Sequence, residues 1–294
     1  MKNPVLNKLV IFGVGLIGGS VALALKKTGN NPQIVGVGRT EESLKTALEL
    51  GVIDTATNSI EDALQNADLV LIATPVAQTP QILKSIKPYL NSKTIVTDAG
   101  STKADVLYFA KVILGELSIQ FIGGHPIAGG EKSGVTAAIA TLYENKNIVL
   151  TPTVDTCKQA IEVVTNLWQT CGAKVSEMTA EKHDSIFAAV SHFPHLLAFA
   201  LVDEIASRPN AQQLFSFAAS GFRDFTRIAG SHPEMWRDIS LANKDALLIE
   251  LNAYETQLSS IKKMLQDEDG ASLQTLFERA SVARNAWAQG KKPV

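Results

Sequence analysis

Two cysteines, a net charge of −2 and no repeat or low-complexity stretch leave few options for this 294-residue chain. Cys157 and Cys171 fall at opposite ends of one predicted helix. At ~1.5 Å of rise per residue they stand about 20 Å apart, well beyond disulfide reach. Unpaired thiols fit a reducing, cytoplasmic setting, and without His/Cys ligand spacing no structural zinc is indicated. The near-neutral balance supplies no long-range field to draw nucleic acid or an anionic membrane. A small anionic substrate needs only local arginines. Residues 9–25 are uncharged and follow a lysine, as in a signal peptide, but fall short of the ~18 residues of a membrane span. Glycines break the stretch and no small-residue cleavage site precedes Lys26 and Lys27. It reads as core.

What is present is a soluble globular composition, 46% hydrophobic and 19% charged, long enough for about two domains. Strands are predicted at residues 9–12, 33–37, 68–73, 94–97, 147–150 and 173–177. Helices are predicted between several of them, at 20–27, 41–50, 78–89 and 155–171. This rhythm predicts an α/β fold with a Rossmann-type, doubly wound parallel sheet. After Met178 the pattern turns helical, with long helices at 183–207 (interrupted at Pro194), 235–266 and 272–289. The expected boundary divides residues 1–179 from an all-α domain, 180–294. Apolar stripes longer than one small bundle needs point to a helical homodimer.

Gly13-x-Gly15-x-x-Gly18 follows the first strand and opens a helix, the context that gives this fingerprint meaning. Gly13 allows the tight turn, Gly15 lets backbone approach a pyrophosphate, and Gly18 brings helix and strand together. Leu16 and Ile17 complete this cofactor cradle. The second strand ends in Gly38-Arg39-Thr40, where an NAD site usually places an acid. Arg39 offers a cation for a 2′-phosphate, which favours NADP, although it could equally stack on the adenine of NAD. Thr74 and Ser101 close later strands, at the sheet edge where ligands bind.

His125 falls in a glycine-rich stretch, Gly-Gly-His-Pro-Ile-Ala-Gly, read as a turn that presents the imidazole to a cleft. Glu131 follows on the same loop. In the helical half, His192 and His195 lie three apart and share a face if the turn stays regular. Pro194 either kinks the helix or starts a fresh turn, and no third ligand supports a metal there. Arg223 and Arg227 share a face if their segment is helical, and two guanidiniums suit a dianionic substrate. Surface ion pairing is the alternative.

Together, Val-Gly-Leu-Ile-Gly-Gly-Ser, Thr-Asp-Ala-Gly-Ser-Thr-Lys, Gly-Gly-His-Pro-Ile-Ala-Gly, Ser-His-Phe-Pro-His and Gly-Phe-Arg-Asp-Phe-Thr-Arg resemble the prephenate/arogenate (cyclohexadienyl) dehydrogenase family of tyrosine biosynthesis. The resemblance implies oxidative decarboxylation of a cyclohexadienol dicarboxylate by a dinucleotide domain joined to a helical dimerisation domain. It implies His125 as catalytic histidine, Ser101 as its hydrogen-bonding partner, Arg227 as a carboxylate clamp and His195 as a substrate contact. Glu131 and Arg223 would pair at the pocket mouth, and Trp236 would match a tryptophan that the partner subunit can contribute. His195 points to prephenate and NADP preference to arogenate, which dual specificity reconciles. The chain ends at Val294 directly after the last predicted helix, leaving no expected room for a fused mutase or regulatory domain. Two rivals are a β-hydroxyacid dehydrogenase, for which Lys182 and Lys244 are the only obvious proton donors, and a cofactor-binding module without chemistry.

Overall fold

A computed structural model describes residues 6–29, 32–38, 40–130 and 132–291. β1 (Lys8–Phe12) sets the layering. Leu9 and Ile11 enter one core with Val21, Leu25 and Ile34, while Val10 and Phe12 enter another with Val35, Leu64 and Leu83. A strand buried on both faces belongs to a sheet covered by helices on both sides. The expected core reading of residues 9–25 holds: they form β1, the glycine turn and most of the first helix.

The sheet runs β3-β2-β1-β4-β5-β6-β7-β8. Its further strands are β2 (Gln33–Val37), β3 (Thr55–Ala56), β4 (Leu69–Ile72), β5 (Ile95–Asp98), β6 (Phe121–Pro126), β7 (Asn147–Thr151) and β8 (Lys174–Glu177). β1 pairs in parallel with both β2 and β4, so the strand order reverses beside it. There the carboxyl ends of the strands leave a crevice for ligands. All neighbours are parallel except β6 and β7, which are antiparallel. The doubly wound, mostly parallel sheet is as expected, with this one antiparallel pair added. One expectation is corrected: His125 lies on β6 and not in a turn. Gly123 and Gly124 serve close packing: a Cβ at Gly123 would stand 2.4 Å from Thr151 Oγ1, and one at Gly124 2.7 Å from the Asp98 carbonyl oxygen.

In the sheet half, α1 (Leu16–Lys27) starts earlier than predicted, directly after Gly15. It is followed by α2 (Glu41–Glu49), α3 (Ile60–Leu64), α4 (Thr79–Ile86), α5 (Ala104–Leu114) and α6 (Lys158–Thr170). Cys157 and Cys171 cap the two ends of α6, both as free thiols, and burial pushes Cys171 up to about 12. Then α7 (Ala180–Phe187), a π turn (Ala188–His192) and α8 (Phe193–Ala206) run on as one helical segment. Two short helices, α9 (Ala211–Ser216) and α10 (Ser220–Thr226), lead to a 3₁₀ turn (Arg227–Gly230) and α11 (Pro233–Ala242). The single helix predicted over 235–266 is broken at Asn243.

Residues through Lys244 pack as one compact unit, so the helices after β8 stay in that unit as far as α11. The second unit, Asp245–Val294, contains most of α12 (Lys244–Gln266) and all of α13 (Gly270–Ala288). Asp269 caps α13 by accepting from the Ser272 N–H at 3.0 Å. Leu248, Ile249, Leu265, Phe277 and Trp287 are exposed along these two helices.

Candidate active site

Backbone geometry builds the crevice at the end of β1. Gly13 has φ +89°, and a Cβ there would meet the Ala73 carbonyl oxygen at 2.7 Å. A Cβ at Gly18 would stand 2.4 Å from the Gly13 carbonyl oxygen, whereas one at Gly15 would meet nothing within 4 Å. Gly13 and Gly18 therefore serve the turn and the helix contact, and Gly15 faces open space. Thr74 Oγ1, buried at the end of β4, makes no hydrogen bond. An open glycine at a helix start and an unpartnered hydroxyl fit a dinucleotide phosphate.

Two cavities meet beyond this turn. One, about 340 Å³, is lined by Gly15, Leu16, Ile17, Thr74 and Ser101 among others. The second, about 1000 Å³, is lined by Phe187, Ser191, His195, Arg227 and Trp236 among others. Ser101, His125 and Lys132 line both, which places them at the junction of a cofactor lobe and a substrate lobe.

His125 is held by residues that sequence reasoning missed. Its Nδ1 lies 2.8 Å from His183 Nε2, and His183 Nδ1 lies 2.7 Å from Asp184 Oδ1. Asp184 also accepts from the backbone N–H groups of Lys103 and Ala104, both at 2.9 Å. Burial opposes its charge, but the His183 bond and those two N–H groups outweigh it and hold the carboxyl below its ordinary value. An ionised carboxylate only accepts, so His183 Nδ1 donates, and neutral His183 then accepts at Nε2. His125 Nδ1 is left as a donor and Nε2 as the basic nitrogen. Burial, then the charges of His183, Lys103 and His192, push His125 well below the usual histidine value, so it is a neutral base at physiological pH.

Lys103 and Asp98 form a fully buried ion pair beside this chain. The parallel ladder of β5 and β6 ends at Thr97 and Ile122. Beyond it side chains take over: Gly124 N–H donates to Asp98 Oδ1 at 3.0 Å, and Lys103 Nζ donates to the Gly124 carbonyl at 2.8 Å. This clamp spaces the Ser101 loop from the strand carrying His125.

The two histidines expected to share a face both lie against Trp236, His192 edge-on with ring centroids 6.2 Å apart. His192 is buried and accepts at Nδ1 from Asn243 Nδ2 at 3.0 Å; burial drives it down to about 4. Asn243 also donates to the Asp184 carbonyl at 2.8 Å, tying the helix break to the His125 chain. His195 lines the substrate lobe, stacked on Trp236 with ring centroids 3.6 Å apart. Trp236 lines the lobe of its own chain. Arg227 lines the lobe from its 3₁₀ turn; Arg223 is exposed on α10 and is absent from the lining. Arg39 and Glu131 lie outside the described residues. Lys182 and Lys244, the lysines a β-hydroxyacid dehydrogenase would require, are exposed and line neither lobe. Among the described residues no group of three His, Cys, Asp or Glu is placed to hold a metal.

The family described as "Prephenate dehydrogenase, nucleotide-binding domain" matches residues 21–177, and "Prephenate dehydrogenase, dimerization domain" matches 179–279. The chain belongs to the prephenate dehydrogenase family. It is 41% identical to the prephenate dehydrogenase of Bacillus subtilis over 96% of this chain and 76% of that one. It is 33% identical to the cyclohexadienyl dehydrogenase of Zymomonas mobilis over 96% of each. The crystal structure of Aquifex aeolicus prephenate dehydrogenase, in complex with hydroxyphenyl propionate and NAD+, superposes with TM-score 0.90 at 39% identity, covering 96% of this chain and 99% of that one. As a member of this family, the chain is a dehydrogenase with a nicotinamide cofactor.

Proposed function

We propose that this chain oxidatively decarboxylates prephenate, arogenate or both, giving 4-hydroxyphenylpyruvate or tyrosine. The observation that carries the reading is a neutral base, His125, at the junction of the two lobes with its tautomer set by Asp184 through His183. A cofactor held in the first lobe and a carboxylated ring held in the second would both adjoin His125. When bound, a nicotinamide would supply the acceptor for the hydride leaving the ring carbon that bears the hydroxyl. His125 Nε2 takes the hydroxyl proton as that carbon becomes a carbonyl. Electrons from the departing ring carboxylate flow into the carbonyl, carbon dioxide leaves, and His125 returns the proton to the phenolate oxygen. Ser101 positions hydroxyl and base, Arg227 holds a substrate carboxylate, and His195 and Trp236 wall the side chain. Lys132, which lines both lobes, adds a cation for a dicarboxylate.

We assign residues 1–179 to the cofactor half, including Thr40, which caps α2, and 180–294 to substrate binding and homodimerisation. NADP is the preferred cofactor, on the strength of Arg39 in place of an acid, with NAD as second choice. The enzyme works in the cytoplasm without membrane or nucleic-acid partners. Absorbance of reduced nicotinamide, followed on mixing the protein with prephenate or arogenate and either cofactor, tests the reading. A rise with at least one combination is expected; silence with all four would sink it.

A further inference from the structure

The helical segment from α7 to α8 changes pitch beside the relay that holds the base. Pro194 has no N–H to close a turn, and the Phe193 N–H donates to the Ala188 carbonyl oxygen five residues back, which makes Ala188–His192 a π turn. Such turns leave backbone groups to be satisfied from outside and recur at functional segments. Just before this one stand His183 and Asp184, and His192 stands at its end. One side chain, Asn243, reaches both sides of it.

Asn243 follows α11 and is 5% exposed. The Asp184 carbonyl accepts the Ala188 N–H and, at 2.8 Å, a hydrogen of Asn243 Nδ2. A carbonyl only accepts, so the amide must turn its nitrogen toward it. The second hydrogen of that nitrogen then meets His192 Nδ1 at 3.0 Å. His192 is kept neutral by burial, so its own hydrogen sits on Nε2. That N–H is fully buried beside the Ser101 backbone, whose carbonyl attracts it without closing a hydrogen bond of ordinary geometry.

We propose that Asn243 is a positioning residue for the reaction: through Asp184 it steadies the support of His125, and through His192 it fixes which nitrogen faces the Ser101 loop. The inference rests on the dehydrogenase reading above and adds a residue that lines neither lobe. Among side chains only a primary amide offers two hydrogens from one neutral atom. A serine would satisfy one of the two acceptors and a carboxylate neither, and a lysine would bury a charge.

The test is Asn243→Asp, which keeps the shape and removes both hydrogens. A carboxylate placed between these two acceptors needs His192 Nδ1 to donate, so the ring must gain a hydrogen there. Nitrogen-15 NMR of labelled histidine reads this at about pH 7, with five histidines in the chain and His192 assigned by its loss in His192→Phe. His192 Nδ1 should be bare in the unaltered protein and protonated in Asn243→Asp. The kcat of the variant should fall about 10- to 100-fold, with KM and cofactor affinity within about threefold, as expected for a small displacement of reacting groups. His192→Phe, which keeps a ring against Trp236, should lower kcat in the same way. Combined with Asn243→Ala it should cost little more than Asn243→Ala alone. An Nδ1 still bare in folded Asn243→Asp, a loss carried by KM alone, or an unchanged kcat in Asn243→Asp or His192→Phe would overturn the inference and leave the dehydrogenase reading intact. Should Asn243→Asp fail to fold, His192→Phe and Asn243→Ala decide by the same kcat criterion. Silence of the unaltered protein with every substrate and cofactor would overturn both.

Discussion

The two lobes of the cleft are made in different ways. The cofactor lobe is backbone: glycines whose absent Cβ atoms would collide with Ala73 or Gly13, and strand ends in a parallel sheet. The substrate lobe is side chains bonded across long separations. His125 meets His183 58 residues on, Lys103 meets Asp184 81 residues on, and Asn243 reaches back 59 residues to Asp184. Backbone sites depend on a short local pattern, and relay sites depend on the whole fold. Damage to one lobe should therefore leave the other working, and that separation can be tested.

The largest effect is expected at the relay. His125→Asn should lower kcat by about 10²–10⁴-fold with cofactor affinity nearly intact. Asp184→Asn should cost about 10–10³-fold, because an amide cannot accept from His183 and from both backbone N–H groups at once. The chain of tautomers then reverses and puts a hydrogen on the basic nitrogen of His125. In the unaltered enzyme the lowered pKa of His125 keeps the base free at neutral pH. Its kcat/KM should fall only as pH drops well below 6.5, the ordinary histidine value. Steady-state kinetics beside cofactor titration by fluorescence separates these readouts. Comparable loss of cofactor affinity in either variant would erase the distinction between lobes.

The same contrast decides what the sequence discloses. The glycine fingerprint, the strands of β1, β2, β4 and β5 and the helical second half all follow from local pattern, since apolar runs, glycine stops and 3.6-residue periodicity are short-range signals. His125, Ser101, His195, Arg227 and Trp236 are recognisable from motifs, and the structure gathers them around one lobe. Three features escape. Gly123 and Gly124 read as a turn, but crowding from Thr151 and Asp98 makes them strand glycines. No helix is predicted at Ala104–Leu114, although α5 supplies one of the N–H groups that hold Asp184. His183 and Asp184 resemble ordinary surface polars in a helix start, because their partners on β6 and α5 are far away in the chain. An adjacent His-Asp pair just inside a predicted helix cap was the one available signal.

A smaller effect should appear in the cofactor lobe, and it should separate two glycines that look alike in the motif. Gly18→Ala places a methyl 2.4 Å from the Gly13 carbonyl oxygen. It should destabilise the fold by about 1–3 kcal/mol, as overpacking does. Gly15→Ala meets no protein atom and should leave stability unchanged while weakening cofactor binding. Thermal melts with and without cofactor distinguish the two, and equal loss of stability would show that Gly15 also serves packing.

The smallest effect concerns the cofactor's identity and would sharpen the backbone picture most. If the cofactor lobe is backbone alone, NAD and NADP should differ little, because both present the same pyrophosphate to Gly15 and the α1 N-terminus. The proposed exception is Arg39, at the position where an acid would accept the ribose hydroxyl. Arg39→Ala should weaken NADP by about tenfold, the scale of one charge-assisted contact, and leave NAD within about twofold. Direct binding of each oxidised cofactor, without substrate, reads this apart from turnover. Equal weakening of both would assign Arg39 to the adenine they share, and the lobe would then select its dinucleotide by backbone alone.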